Sequence, residues 1–181
     1  LGQKVGIIDK QWLGGVCLNV GCIPSKSLLQ NAHVADILRH RGQDFGFTLD
    51  NLKFDYSVAV KRSRQVSDRL TKGVGGLMRK NKIDVHMGTA LIKSATEVQV
   101  TDKEGQAKTL TTKNIVIATG ARVAPPAAFG VDGKRVVTYL EAILQDKCPA
   151  SAVIIGGGAI GLEFATIWNA YGAKITIIEM L

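Results

Sequence analysis

The sequence predicts an α/β fold that contains a small antiparallel β-meander, and three observations lead to this fold class. A strand, a glycine-rich turn, a helix and a second strand follow one another over residues 152–179. A short apolar strand at residues 5–9 precedes a segment with helical spacing. From Ile83 onwards the apolar residues recur with a period of two, which is typical of half-buried strands.

The first half of the chain predicts a strand, a loop and two helices. Residues 5–9 form the strand, and the glycine-rich residues 12–21 predict a loop. Residues 25–41 have helical spacing and end in cationic residues followed by glycine, which is a helix C-terminal signal. Residues 54–80 predict a long helix with Asp55 as its N-cap.

The second half predicts mainly short strands. Residues 83–110 alternate as an antiparallel meander, and a polar turn lies at 102–105. Residues 114–118 form a short apolar run that predicts a further strand. Residues 138–145 predict a short helix, because their first four residues fit a capping box.

Composition excludes several classes of protein. The chain has 181 residues, of which 46% are apolar and 21% charged, as in an ordinary globular protein. Three cysteines are too few for a disulfide-dense secreted scaffold. The net charge is +8, and residues 53–84 alone hold nine cationic and three acidic side chains. A non-enzymatic binder of nucleic acid or of an anionic membrane surface therefore stays an alternative, although solvated basic helices are common.

A glycine turn at residues 156–161 has the context of a dinucleotide-binding site. Gly156, Gly158 and Gly161 satisfy G-x-G-x-x-G between a buried strand and a helix. Glu179 closes the next strand, 18 residues after Gly161, where a carboxylate accepts a ribose 2′-hydroxyl and disfavours a 2′-phosphate. The alternative is a glycine turn that holds no ligand. Asp9 ends the first strand in the same way, which indicates either a second dinucleotide site or a surface turn.

The spacing of Cys17 and Cys22 limits their chemistry. Zinc sites need four ligands and usually begin with C-x₂₋₄-C, and no second ligand pair is apparent, so we expect no metal site. If the two cysteines form a disulfide, the segment between them must depart from a regular helix. Helical Cα atoms five residues apart lie about 8–9 Å from each other, whereas a disulfide needs less than about 7 Å. Gly21 and Pro24 suit such a distortion; two buried structural thiols are the alternative.

The stretch GGVCLNVGCIPSKSLL, residues 14–29, resembles the redox-active disulfide segment of the flavin-dependent pyridine nucleotide–disulfide oxidoreductases. The strand-like run at residues 115–120 and the glycine turn at 156–161 match the same family in the same order. Within the family, the segment is most similar to the members that oxidise dihydrolipoamide as subunits of 2-oxo-acid dehydrogenase complexes. The resemblance implies an FAD/NAD(P)-binding three-layer Rossmann-like fold, truncated at both ends.

The resemblance also implies residue roles. Cys17 is expected to form the mixed disulfide with substrate, and Cys22 to lie against the flavin as a thiolate. Lys26 is expected near the flavin and paired with Glu163; the alternatives are a solvated lysine and a surface carboxylate. Cofactor contacts are expected for FAD at Asp9, Gly14, Gly15, Lys26, Thr119 and Gly120, and for NAD at Gly156, Gly158, Gly161 and Glu179.

At the level of the whole protein, the resemblance implies an FAD-binding domain at residues 1–150 and the start of an NAD-binding domain at 151–181. We expect the chain to be an internal fragment that is inactive alone, since no His occupies the position of the family's catalytic base. The intact protein is expected to be a homodimer that oxidises dihydrolipoamide on a lipoyl domain of a 2-oxo-acid dehydrogenase complex. It is expected in the bacterial cytoplasm or the mitochondrial matrix, with no nucleic-acid partner and no membrane span.

Three other functions remain open from the sequence. Mercuric reductases share the Pro-Ser-Lys run, and glutathione-type reductases, trypanothione reductases included, resemble the same segment. These enzymes generally use NADPH, against which Glu179 counts, and the glutathione type carries a lysine where this chain has Ser25. A redox-inert nucleotide-binding module is the third alternative. Cys148 matches no role in the family.

Overall fold

The structure is a computed structural model that describes residues 2–180. Within these residues the strands are β1 (Gly6–Asp9), β2 (Asp84–Met87), β3 (Thr89–Ser94), β4 (Glu97–Thr101), β5 (Ala107–Thr111), β6 (Ser151–Ile155) and β7 (Lys174–Ile178). The α-helices are α1 (Gly15–Val20), α2 (Cys22–His40), α3 (Tyr56–Lys80), α4 (Tyr139–Ala142) and α5 (Ala159–Ala170). Short 3₁₀ helices lie at Gly42–Phe45 and Ala127–Phe129. The predicted α/β class is confirmed.

The described chain divides into two units. The first comprises residues 2–19 and Asp68–Arg122, and the second comprises Val20–Ser67 and residues 123–180.

The first unit contains a parallel strand pair and an antiparallel sheet. β1 and β2 pair in parallel, with Gly6 opposite Asp84 and Asp9 opposite Met87. β3, β4 and β5 form the antiparallel meander, and Val98 and Val100 of the central strand are buried. Parallel neighbours place the carboxyl end of β1, and therefore Asp9, at the same edge as the end of β2.

The predicted extent of the meander is wrong at its start. Asp84–Met87 belongs to the parallel pair with β1 and not to the antiparallel sheet. The chain passes from one sheet to the other at Gly88, which has φ +157°. A Cβ there would lie 2.4 Å from the carbonyl oxygen of Thr101, so only glycine fits this passage. A period of two identifies strands but does not say which neighbour they pair with.

The strand predicted at residues 114–118 does not form, because no strand within residues 2–180 pairs with this segment. Val116 and Ile117 are 86% and 71% exposed, as expected for an extended run outside a ladder. The loop predicted at residues 12–21 is also wrong in part, since Gly15–Val20 forms α1. The two glycines that suggested a loop lie at its beginning and leave the following five residues free to be helical.

In the second unit α2 packs against α5, and α5 covers one face of the parallel pair β6–β7. The best-buried side chains of this core are Leu28 on α2, Ile143 after α4 and Ile167 on α5. The N-cap prediction for α3 is confirmed, because the Asp55 carboxylate accepts the backbone N–H of Ser57. The capping box of α4 is confirmed as well, although the helix is shorter than the predicted 138–145.

Candidate active site

Cys17 and Cys22 lie on two helices that a single glycine separates. Cys17 is in α1, Cys22 is the first residue of α2, and Gly21 between them has the non-helical angles φ −129° and ψ −119°. Both cysteines are disulfide-bonded, and the third cysteine, Cys148, is free. The helix is therefore interrupted at the glycine that the i, i+5 geometry required. Pro24 lies in the first turn of α2, where a missing N–H is tolerated.

The disulfide is open to solvent, since both of its cysteines are exposed. An exposed disulfide at the start of a helix can be attacked by a thiolate from solution, and helix N-termini favour thiolates. The alternative of two buried structural thiols is therefore wrong for this pair.

Two glycines mark the start of α1, since Gly14 precedes the helix and Gly15 is its first residue. Gly14 has φ +88° and Gly15 has φ +64°, both in the left-handed region. A Cβ on Gly14 would lie 2.3 Å from Cδ2 of Leu18, whereas Gly15 has open space around it. The side-chain amide of Asn19 donates to the carbonyl oxygens of Leu13 and Gly15 at 3.0 and 2.9 Å, which ties this loop to α1. Sequence reasoning missed Asn19.

Lys26 and Glu163 form an ion pair, the pairing that the resemblance implied. Lys26 is on α2 and Glu163 is on α5, and the packing of these two helices brings the charges together. The Lys26 side chain is 61% exposed and that of Glu163 is 25% exposed. Lys26 follows Cys22 by four residues on α2, so the ammonium and the sulfur lie on the same face of the helix.

The glycine turn at residues 156–161 has the geometry that the motif requires. Gly156 has φ +106°, and Gly158 is the N-cap of α5 with no side-chain cap. A Cβ on Gly161 would lie 2.3 Å from the carbonyl oxygen of Gly156, so this glycine allows α5 to approach β6. Nothing lies within 4 Å of a Cβ placed on Gly156 or Gly158. The open glycines and the uncapped N–H groups fit an approaching pyrophosphate.

Glu179 lies at the glycine turn, because its carboxylate accepts the backbone N–H of Gly157. Its other oxygen accepts the N–H of Met180 at 2.7 Å. Asp9, at the end of β1, accepts the N–H groups of Gln11 and Trp12 at 2.7 and 3.0 Å. Both carboxylates are thus fixed by backbone donors at the carboxyl end of a parallel strand, where nucleotide ribose is bound in open α/β sheets.

Four further observations concern features of the structure apart from these groups. Thr119 and Gly120 lie in the irregular segment after β5, and neither makes a hydrogen bond within residues 2–180. Burial raises the pKa of the Cys148 thiol, which stays protonated at neutral pH. No group of three His, Cys, Asp or Glu side chains in the described chain could hold a metal ion. In that same part of the chain, no helix is long and apolar enough to cross a membrane.

The model of the pyridine nucleotide-disulphide oxidoreductase family matches residues 1–181. The chain belongs to this family. Two curated relatives named dihydrolipoyl dehydrogenase are those of Corynebacterium glutamicum, 47% identical over 100% of this chain, and Chlorobaculum parvum, 41% identical over 99%. The chain spans 38% of the length of each. The crystal structure of LpdA from Mycobacterium tuberculosis shares the fold, with a TM-score of 0.85, 20% identity and coverage of 96% of this chain and 38% of that one.

In this pyridine nucleotide-disulphide oxidoreductase, the disulfide joins α1 to α2, the ion pair joins α2 to α5, and the glycine turn precedes α5. The second unit alone holds the ion pair, the glycine turn and Glu179. α5 serves two of these features, because its N-terminus closes the glycine turn and its fifth residue is Glu163. A single helix therefore sets both the backbone geometry of the glycine turn and the position of the carboxylate that pairs with Lys26.

Proposed function

We propose that the chain carries the redox disulfide of an enzyme that oxidises dihydrolipoamide to lipoamide with FAD and NAD⁺. The observation that carries the proposal is the exposed disulfide of Cys17 and Cys22. The relatives named dihydrolipoyl dehydrogenase, at 41% and 47% identity, support the choice of substrate. Because the chain spans 38% of their length, turnover is assigned to the assembled enzyme and not to these residues alone.

The thiol chemistry proceeds in two exchanges. One substrate thiolate attacks the sulfur of Cys17, a substrate–Cys17 bond forms, and Cys22 leaves as a thiolate. The second substrate thiol then loses its proton and attacks the substrate sulfur that is bonded to Cys17. This attack closes the ring of lipoamide and releases Cys17 as a thiolate. Two electrons pass from the substrate dithiol to the protein disulfide, and two protons are released.

Lys26 and Glu163 control the charge next to Cys22. The Lys26 ammonium lies one helical turn from Cys22 and stabilises its thiolate as the leaving group. Glu163 fixes the position of the ammonium through the ion pair, and its negative charge partly cancels the electrostatic effect of the ammonium on the Cys22 sulfur. The pair therefore sets both the position of the cation and the strength with which it acts.

The NAD site is proposed at the glycine turn of residues 156–161. The open backbone at Gly156 and Gly158 admits a pyrophosphate, and the uncapped N-terminus of α5 attracts its charge. Glu179 accepts a ribose hydroxyl and repels a 2′-phosphate, which favours NAD over NADP. The groups that these residues would hold, FAD and NAD⁺, would supply the onward transfer of the electron pair from the reduced disulfide, the last stage of it as hydride.

The FAD site is proposed along β1 and the loop that follows it. Asp9 offers a carboxylate to the ribose, the left-handed Gly14 and Gly15 allow backbone approach, and Thr119 and Gly120 add contacts from the segment after β5. Lys26 of α2 is proposed as a further residue that would contact the flavin. Residues 1–150 accordingly belong to the FAD-binding domain, and residues 151–181 begin the NAD-binding domain.

The partners follow from the proposed substrate. Dihydrolipoamide is presented on a lipoyl domain of a 2-oxo-acid dehydrogenase complex, and the assembled enzyme is a homodimer. The enzyme acts in the bacterial cytoplasm or the mitochondrial matrix, where these complexes work.

Thiol counting on the Cys148→Ser variant tests the first exchange, because this variant has no free cysteine. Dihydrolipoamide should raise the count from zero to two thiols for each chain, with one lipoamide formed. Glutathione at the same thiol concentration should react far more slowly. A disulfide that stays intact in dihydrolipoamide, or that glutathione reduces equally fast, contradicts the proposal.

The roles of the two cysteines can be separated in the reverse direction. With Cys22 and Cys148 replaced by serine, the Cys17 thiolate should attack lipoamide and yield a mixed-disulfide adduct that mass spectrometry detects. The matched variant, with Cys17 and Cys148 replaced by serine, should form the adduct at least several-fold more slowly. Equal rates would mean that Cys17 is not the substrate-facing thiol.

A further inference from the structure

An arginine outside the redox site is anchored on one edge only. Arg62 of α3 donates from Nη1 to the Ser27 hydroxyl and to the Asn31 amide oxygen, both at 2.9 Å, and to the Ser27 carbonyl oxygen at 3.4 Å. Ser27 is buried, so this edge of the guanidinium is fixed against α2. Within residues 2–180 the other donors of Arg62 bond to no acceptor.

Arg62 is also a cation without an anion in the described residues. No carboxylate oxygen there comes within 4.0 Å of its guanidinium. The acidic residue of the same region, Asp55, has its carboxylate engaged by the backbone N–H and the hydroxyl of Ser57 at 2.9 and 2.6 Å. A guanidinium offers five donors in a fixed fork, of which the anchored edge uses only part.

The guanidinium lines a groove of about 390 Å³ in the second unit. The apolar part of its lining is formed by Val34 and Leu38 of α2 together with Phe54 and Tyr171. Its volume lies in the range of about 300–1,000 Å³ that small-molecule sites occupy. Phe54 has the guanidinium carbon of Arg39 4.7 Å from its ring centroid, and it packs T-shaped with Tyr171, the two ring centroids lying 6.1 Å apart.

We propose that this groove binds a small carboxylate with an apolar body, its carboxylate on the unused edge of Arg62 and its apolar part over Val34, Leu38 and Phe54. The two partners match in charge and in shape, because the planar fork of arginine fits the two oxygens of a carboxylate. Val34 is 44% exposed and would lose water on contact with an alkyl chain.

The proposed site is independent of the disulfide and of the proposed enzyme activity. None of its residues takes part in the exchange at Cys17 and Cys22, so loss of one function leaves the other measurable. The site would make the chain respond to a carboxylate metabolite of short alkyl or aromatic type.

Titration of the 181-residue chain with octanoate, octanamide and acetate tests the site by calorimetry. Octanoate should bind at least about tenfold more tightly than octanamide, because the amide lacks the charge that Arg62 requires. Acetate should bind more weakly than octanoate because it leaves the apolar wall uncovered. Equal binding of octanoate and octanamide, equal binding of octanoate and acetate, or no octanoate binding at millimolar concentration overturns the proposal.

Two variants locate the site. Arg62→Gln keeps a donor for Ser27 and Asn31 but removes the charge, and should abolish the preference for octanoate over octanamide. Arg69→Gln, an exposed arginine on the same helix, is the matched control and should leave both affinities unchanged. An octanoate preference that survives in Arg62→Gln, or that is lost equally in Arg69→Gln, assigns binding to general charge and overturns the proposal.

Discussion

At the scale of single residues, the Lys26–Glu163 pair makes a specific prediction about Cys22. In the reduced Cys148→Ser protein, Lys26→Met should slow alkylation of Cys22 by iodoacetamide about twofold at neutral pH, since a helical neighbour at i+4 is worth about 0.3–0.5 kcal/mol. Glu163→Gln should accelerate it, because the ammonium then acts on the thiolate alone. Peptide mapping by mass spectrometry distinguishes Cys22 from Cys17.

The control for this experiment is Lys53→Met, which removes an exposed lysine outside the site. It should leave the alkylation rate of Cys22 unchanged. High salt should reduce both effects, since exposed charges are screened within about 10 Å at 0.1 M. Lys26→Met and Glu163→Gln must change the alkylation rate of Cys22 in opposite directions. A change in the same direction in both variants would refute the electrostatic role.

The glycine turn gives a second prediction at the same scale. Gly161→Ala should destabilise the second unit by about 1–3 kcal/mol, because its Cβ would overlap the carbonyl oxygen of Gly156 at 2.3 Å. Gly158→Ala is the matched control, since its Cβ meets nothing within 4 Å and its φ is −70°. Urea unfolding followed by Trp168 fluorescence in a Trp12→Phe background measures both, and equal stability of the two variants would contradict the close approach of α5 to β6.

Residue-level prediction from the sequence was reliable where a motif constrains the backbone. Gly156, Gly161 and the break at Gly21 follow from the steric needs of turns and disulfides, which act within a few residues. The meeting of Lys26 and Glu163 needs two helices to pack, and no spacing in the chain encodes it; only the family resemblance supplied it. Asn19 was missed because its bonds to the nearby carbonyl oxygens of Leu13 and Gly15 follow no known motif. Arg62 was missed because its partners Ser27 and Asn31 lie far away in the chain.

At the scale of elements, the shortest helix depends most on its cap. Thr138→Ala should cost about 1 kcal/mol at neutral pH, since α4 has four residues and its capping box satisfies N–H groups at its start. Thr138→Ser keeps the hydroxyl and should lie close to the wild type. Chemical unfolding measures both, and a Thr138→Ser loss as large as that of Thr138→Ala would exclude the hydrogen bond as the cause.

The same cap predicts a pH dependence. The hydrogen bond from the Thr138 hydroxyl lowers the pKa of Glu141 below its ordinary value of 4.5. A carboxylate with a lowered pKa in the folded state stabilises the protein above its unfolded value and loses that contribution as pH falls through the folded value. The stability difference between wild type and Thr138→Ala should therefore be full at pH 7 and shrink below about pH 4.5. A difference that grows in acid would reverse the assigned sign.

The sequence predicted the long helices correctly, but its strand predictions failed where the outcome depends on which strand pairs with which. α2, α3 and α5 follow from apolar spacing and end signals, which are local. The run at residues 114–118 has the composition of a strand, yet a strand exists only when a neighbour supplies its ladder, and none does so in the described chain. The pairing of Asp84–Met87 could not be predicted either. Its alternating pattern fits an antiparallel partner, as predicted, and also the parallel partner β1 that the structure shows.

At the scale of the whole molecule, the basic charge and the apolar surface are separate properties. Seven of the cationic side chains lie on α3, which accounts for most of the net +8. One group of exposed apolar side chains lies on the face of β6–β7 that α5 does not cover. Val153, Ile155 and Ile178 lie on that face at 64%, 57% and 49% exposure, and the register places Ile155 beside Ile178. Contiguous apolar residues of this kind drive association more than isolated ones do.

This face predicts concentration-dependent self-association of the 181-residue chain. Replacing Val153 and Ile155 by threonine should shift sedimentation-velocity profiles towards the monomer, because threonine keeps strand propensity and adds a hydroxyl that water can solvate. Val58→Thr is the control, since Val58 is 60% exposed on α3 but lies apart from the β6–β7 face. If the wild-type chain is monomeric at high concentration, or if Val58→Thr dissociates it equally well, the exposed face is not what joins the chains.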